Sequence, residues 1–279
     1  MRAKPLRKRS RKTLLELKPF LDDLNERIET PEYIHSDPVQ FMHVFESKKD
    51  QEIAGFLSAL LAWGRRDIVC RKIEELIRRM EYSPARFVEN YNPSMAGTFR
   101  GFKHRTFKAV DIHGFISALQ QIYLSHEDME SFWEECLTDS RQQNRALISV
   151  FHQRFLSLTP EIQSRSHKHI SDPEKNSSCK RINMFLRWAL RKKSRVDPGI
   201  WDFLSPAELM IPLDVHVARQ ARRFGLLTRR YNDWKAVCEL TQQLQILDPS
   251  DPSRYDFALF GLGALGYRLP VRFKLNPVK

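Results

Sequence analysis

The sequence predicts an all-α protein, and three observations carry that expectation. Apolar residues recur at the three- and four-residue spacing of a helix face through most of the chain. Asp, Asn and Pro stand where such runs begin, and Gly or Pro stands where they stop. No stretch alternates convincingly as a strand, and no G-x-G-x-x-G, phosphate-loop motif or internal repeat interrupts the pattern. A chain of 279 residues, 42% hydrophobic with 18 Phe, is long and apolar enough to bury a sizeable core.

Taken in order, residues 1–12 read as a basic, disordered tail ahead of a single helical domain over 13–279. Leu14, Leu15, Leu17, Phe20, Leu21, Leu24 and Ile28 form one helical stripe, stopped by Thr30-Pro31. Asp37-Pro38 is a cap followed by proline at the first helical position, which starts a helix to about Glu46. Gln51 to Trp63 is almost wholly apolar after Glu52, a buried central helix too short to span a membrane. Gly64 breaks it, and Asp67 is placed to cap the next helix, where Ile68, Ile73, Leu76, Ile77 and Met80 alternate with charged residues. Residues 92–110 read as irregular. Their cluster Phe102-Lys103-His104-Arg105-Thr106-Phe107 suits a nucleic-acid surface, because aromatics stack on bases and cations hold phosphates, and equally suits a loop buried by its phenylalanines. A helix starts at Asp111 or His113 and runs through Tyr123, and two more follow near 128–137 and 143–157. Lys180 opens a helix closed by Arg191-Lys192-Lys193, positive charge at the end where the helix dipole favours it. Asp214 caps the next helix, Gly225 stops it, Asn232 or Asp233 starts another to about Leu247, and Pro252 to Phe260 begins the last.

The net charge is +12, and seven of those charges (Arg2, Lys4, Arg7, Lys8, Arg9, Arg11, Lys12) lie in the first 12 residues, where there is no acid, so the remainder carries +5. A polyanion is the partner such a surface suits, with the tail either a solubilising extension or a phosphate-binding arm. No apolar run approaches 18 residues, no lipidation motif is present, and no apolar core follows the basic start, which argues against a membrane partner or a secretory signal. Cys70, Cys136, Cys179 and Cys238 are far apart with no C-x-x-C pair, so neither a metal site nor any other cofactor is expected, and the sparse cysteines suit a reducing cytoplasm.

Two blocks carry candidate chemistry: Cys179-Lys180-Arg181-Ile182-Asn183-Met184 and Ile211-Pro212-Leu213-Asp214-Val215-His216-Val217. Each is a helix start, and the lysine and aspartate stand 34 positions apart, free to face each other across a cleft. An amine nucleophile and a carboxylate that stabilises positive charge are the two groups needed to break a glycosidic bond. Read alone, Asp214 is also a plain N-cap and Lys180 also a plain surface residue.

The string Ile211-Pro212-Leu213-Asp214-Val215-His216-Val217 resembles the segment that carries the essential aspartate in helix–hairpin–helix base-excision DNA glycosylases, especially those removing oxidised guanine. Tyr255-Asp256-Phe257-Ala258-Leu259-Phe260-Gly261 resembles the late helix of that fold, and Phe56-Leu57-Ser58-Ala59-Leu60-Leu61-Ala62-Trp63-Gly64 its early helix. The chain as a whole resembles a bacterial family of uncharacterised proteins distantly related to these enzymes, with a lysine-to-aspartate spacing closest to the archaeal oxidised-guanine branch. The resemblance spans roughly residues 35 to 265. It departs from the glycosylase pattern in having no C-terminal iron–sulfur cysteines and no G-x-G hairpin before Lys180; Asn176, which tolerates left-handed backbone, leaves a tight turn available there.

The resemblance implies a two-lobed fold. One lobe covers about 45–210 and ends in the hairpin and the Lys180 helix. The other joins about 13–44 to 211–279, with DNA across the cleft between them. It implies Lys180 as nucleophile and Asp214 as the carboxylate opposing developing positive charge, acting on a base flipped out of the stack, with strand cleavage through an imine. It implies that Asn176, Ser177, Ser178 and Arg181 hold a phosphate at the hairpin, that Trp63, Arg65 and Arg66 meet the duplex, and that His216 contacts a phosphate. A monomer acting on damaged double-stranded DNA in the nucleoid is the expectation. A DNA- or RNA-binding protein of the same fold without chemistry is the alternative, and the missing G-x-G favours it.

Overall fold

The computed structural model describes residues 9–264 and residue 266. The chain opens with α1 (Arg11–Leu15), α2 (Lys18–Ile28), α3 (Pro31–Ile34) and α4 (Gln40–His43). The long helices α5 (Lys48–Leu61) and α6 (Arg66–Arg79) follow, then α7 (Pro84–Glu89) and a two-stranded antiparallel ribbon, β1 (Lys103–His104) and β2 (Phe107–Lys108). Next come α8 (Ala109–Ser125), α9 (Met129–Gln143), α10 (Leu147–Ser157) and α11 (Lys180–Leu190). The chain then forms α12 (Val215–Phe224), α13 (Trp234–Leu247) and α14 (Tyr255–Ala264). The all-α expectation holds, with one small ribbon added.

Four sequence expectations need correction, each for a local reason. The stripe from Leu14 to Ile28 is two helices, because Pro19 in the first turn of α2 has no N–H to continue α1. Asp37 accepts from the Val39 amide at 3.2 Å, but the turn it caps tightens into the four residues of α4 and does not reach Glu46. Arg65, not Asp67, occupies the cap position of α6; Asp67 lies inside the first turn, where its charge suits the helix dipole, and pairs with Arg65 at 2.9 Å. The basic tail is shorter than 12 residues. Residues 1–8 lie outside the described residues, whereas the Arg9 amide donates to the Gly225 carbonyl at 3.3 Å and Ser10 caps α1.

Two features set up the cleft. The first is α5, which is buried along most of its length and packs on α11, with the Phe56 and Phe185 rings 5.6 Å apart. That contact positions the end of α5, which leads into the Trp63-Gly64 bend. The second is the return of the N-terminal helices onto the C-terminal ones: α14 lies against both α2 and α12, and α1 against α13. Tyr255 on α14 donates to Asp22 on α2 at 2.8 Å. A Cβ on Gly263 would stand 2.8 Å from the His216 Cβ, so glycine there lets α12 and α14 approach closely.

Where these elements converge, a charge network replaces apolar packing. Arg187 on α11 is 3% exposed and pairs with Asp197 (3.2 Å) and with Asp256 on α14. Arg191 pairs with Glu29 (3.0 Å), Asp251 (2.7 Å) and Asp197. Both guanidiniums lie over the Phe257 ring, at 4.3 and 5.6 Å. Removing one partner of such a pair strands a buried charge and costs about 3–5 kcal/mol, so this network fixes α11 against α14.

Candidate active site

A cleft of about 610 Å³ lies where α11, α12 and α14 meet the end of α5. Lys180 and Asp214 both line it. Lys180 is the first residue of α11, behind Cys179, whose φ of 50° turns the chain sharply into the helix. Its half-buried amine lies 3.2 Å from the Met184 sulfur one turn on. Asp214 is the N-cap of α12: its Oδ1 accepts from the His216 amide at 2.8 Å and the Val217 amide at 2.9 Å. Among the described residues no hydrogen bond engages its Oδ2, so capping occupies half of the carboxylate.

Two further charged residues of the cleft were not singled out from the sequence. Asp256 lines it and is 8% exposed. Burial raises its carboxyl to about 6, against the attraction of Arg187; the charge of Asp214 raises it further and that of Lys180 lowers it. Arg187 lines the same wall. The signal for both was a lone charge inside an apolar run, Phe185-Leu186-Arg187-Trp188 and Tyr255-Asp256-Phe257-Ala258, where burial demands a partner. Tyr33, Asp37 and Phe260 also line the cleft, and only folding gathers them.

Of the predicted contact residues, Trp63, Arg66 and His216 join Lys180 and Asp214 at the cleft. Trp63 lies on the rim, its indole N–H buried with no partner among the described residues. Arg66 is turned inward: its guanidinium lies 4.9 Å from both the Tyr33 and Phe260 rings and pairs with Asp37 at 3.1 Å. That position makes it part of the cleft wall. The His216 Nδ1 lies 3.3 Å from the Gly263 carbonyl, an acceptor, so Nδ1 carries the proton. Arg65 stays exposed beside Asp67.

The remaining predicted residues lie outside the cleft lining. Arg181 donates to the Leu60 carbonyl at 2.6 Å near the end of α5, and burial lowers its guanidinium to about 10. The segment before Lys180 is a 3-10 turn, Pro173–Lys175, closed by Asn176 with φ 57°, so a tight turn forms without G-x-G. The amides of Asn176 and Ser177 donate to the carbonyls of Pro173 (2.9 Å) and Asp172 (3.3 Å), and Ser178 accepts from Asn183 at 3.2 Å. Among the described residues no group of three or more His, Cys, Asp or Glu is placed to hold a metal ion, and no helix is long and apolar enough to cross a membrane.

The family described as "Protein of unknown function (DUF2400)" matches residues 37–265 of the chain. No curated protein and no solved structure matches it.

Proposed function

We propose that this chain, which belongs to the DUF2400 family of proteins of unknown function, is a DNA base-excision glycosylase with an associated strand-cleaving activity. The single observation that supports it most is that Lys180 and Asp214, on separate helix starts, line one cleft. In this reading the cleft receives a damaged base flipped from duplex DNA, with Trp63 and Phe260 offering it aromatic surface. The Lys180 amine attacks the anomeric carbon as the bond to the base breaks. The base departs with the bonding pair and takes up a proton, and the lysine nitrogen gives up one. Opening of the sugar then yields an imine, from which the 3′ phosphate is eliminated. Asp214, through the oxygen its cap does not use, opposes the positive charge that develops on the sugar. The reading takes the fold as a two-lobed helix–hairpin–helix arrangement, and the return of α1 and α2 onto α13 and α14 supports that division.

The test needs no knowledge of the lesion. An abasic duplex presents the aldehyde directly, and borohydride reduces the resulting imine to a stable protein–DNA crosslink. The expected result is a crosslink with the unaltered chain and none with Lys180→Gln, with duplex binding retained within about threefold. A crosslink that survives Lys180→Gln assigns the nucleophile elsewhere. Tight binding with no crosslink and no base release from any lesion duplex favours the binding-only reading, for which the absent G-x-G is the specific observation.

A further inference from the structure

The cluster Phe102 to Phe107, undecided from sequence, resolves into the β1–β2 ribbon. Phe102, His104 and Phe107 are buried and anchor it. The His104 Nε2 lies 3.1 Å from the Trp63 carbonyl, which ties the ribbon to the rim of the cleft. Lys103, Arg105 and Lys108 remain exposed. Arg105 is at the ribbon's turn with φ 54°, a left-handed conformation that costs a branched-off side chain free energy and is concentrated at functional positions. Its guanidinium lies 5.0 Å from the centre of the Trp63 ring. A Cβ on Gly64 would stand 2.8 Å from the Arg105 Nε, so glycine at the bend makes room for the stack. No carboxylate pairs with Arg105 among the described residues, in contrast to Arg65 with Asp67 and Arg66 with Asp37.

We infer that Arg105 is the phosphate clamp at the mouth of the cleft, binding the backbone phosphate beside the nucleotide whose base enters. The inference rests on the nucleic-acid reading of the cleft. A planar guanidinium held against an aromatic ring is confined to few orientations, so less freedom is lost when it binds a phosphate. It has no competing carboxylate to displace. The duplex-facing role that the sequence suggests for the Trp63–Arg66 loop passes to an arginine 40 residues away, which folding stacks on that loop.

The experiment measures affinity for a duplex containing a stable abasic analogue, across a salt series, with the unaltered chain, Arg105→Ala and Arg105→Lys. Arg105→Ala is expected to weaken binding about tenfold and to lower the slope of log K against log salt by about 0.9, the contribution of one neutralised phosphate. Arg105→Lys keeps the charge and therefore the slope, while losing about threefold in affinity with the flat stack. An Arg105→Ala chain that binds as tightly as the unaltered one with an unchanged slope overturns the clamp while leaving the glycosylase reading intact. An unaltered chain that binds no duplex overturns both. Thermal melting of all three proteins separates the effect from misfolding, since the side chain is exposed and its loss leaves the anchors in place.

Discussion

Replacing Asp214 separates a catalytic carboxylate from a helix cap. The cap consists of two amide hydrogen bonds to Oδ1, at 2.8 and 2.9 Å. Asp214→Ala removes both, at about 1–2 kcal/mol. Asp214→Asn retains an oxygen in the same place and caps about as well; it loses only the favourable charge at the helix start, about 0.3–1 kcal/mol. That loss is offset in part, because the charge of Asp214 is one of the causes that raise the Asp256 carboxyl. Asn is therefore expected to melt within about 2 °C of the unaltered chain, and Ala about 2–6 °C below it. Turnover should divide the variants differently. On the proposed reading both lose the charge that opposes a developing cation, so both should lose about 10²–10³ in single-turnover base release on whichever lesion duplex the unaltered chain cleaves. Activity that follows stability, with Asn near normal and Ala modestly reduced, would show that Asp214 is a cap and nothing more.

Three further outcomes are expected. Arg66→Ala should destabilise the fold by about 1–3 kcal/mol in chemical denaturation, because it strands the mostly buried Asp37, whereas Arg65→Ala should change it by less than about 0.5 kcal/mol; equal effects would contradict the assignment of Arg66 to the cleft wall. Burial holds Asp256 at about 6, above the 3.8 of an ordinary aspartate, so the folded state binds its proton more tightly than the unfolded chain does. Its contribution to stability is then fully present below about pH 3.8 and lost as pH rises through about 6, by up to ~3 kcal/mol. The stability of the unaltered chain relative to Asp256→Asn should fall between pH 4 and 7, and a flat or rising difference would refute the assignment. Deleting residues 2–8 removes Arg2, Lys4, Arg7 and Lys8 and should flatten the salt dependence of duplex binding by about 0.9 for each phosphate those cations neutralise; an unchanged slope would make the segment a bystander.

How much was legible in the sequence depends on how local each feature is. Asp214, Gly225 and Asp233 were readable because a cap or a stop is decided within four residues, and each stands where its type placed it. The buried run to Trp63 was readable from its lack of charge. Pro19 was visible, yet the apolar stripe over it obscured that the helix must restart there. The β1–β2 ribbon was not readable: each strand is two residues long, too short to alternate, and pairing depends on a turn with left-handed Arg105 where glycine or asparagine is usual. The inward turn of Arg66 and Arg181 was hidden for a different reason. Basic residues beside a loop look solvated unless their partners are known, and Asp37, Tyr33 and the Leu60 carbonyl are distant in the chain or part of the backbone.

The lining of the cleft also bears on what can occupy it. Lys180, Arg66 and Arg187 supply three cations, and Asp37, Asp214 and Asp256 supply three carboxylates, with Tyr33, Trp63 and Phe260 between them. A phosphate entering this space would meet as many carboxylates as cations, and two of the cations are already paired, Arg66 to Asp37 and Arg187 to Asp256. A flat, neutral heterocycle meets aromatic surface, hydrogen-bonding groups and no net charge to oppose it. Arg105, with no carboxylate partner among the described residues, stands instead at the rim. On the proposed reading, a cation for the backbone at the rim and a balanced, aromatic interior for a base is the division of labour that base flipping requires.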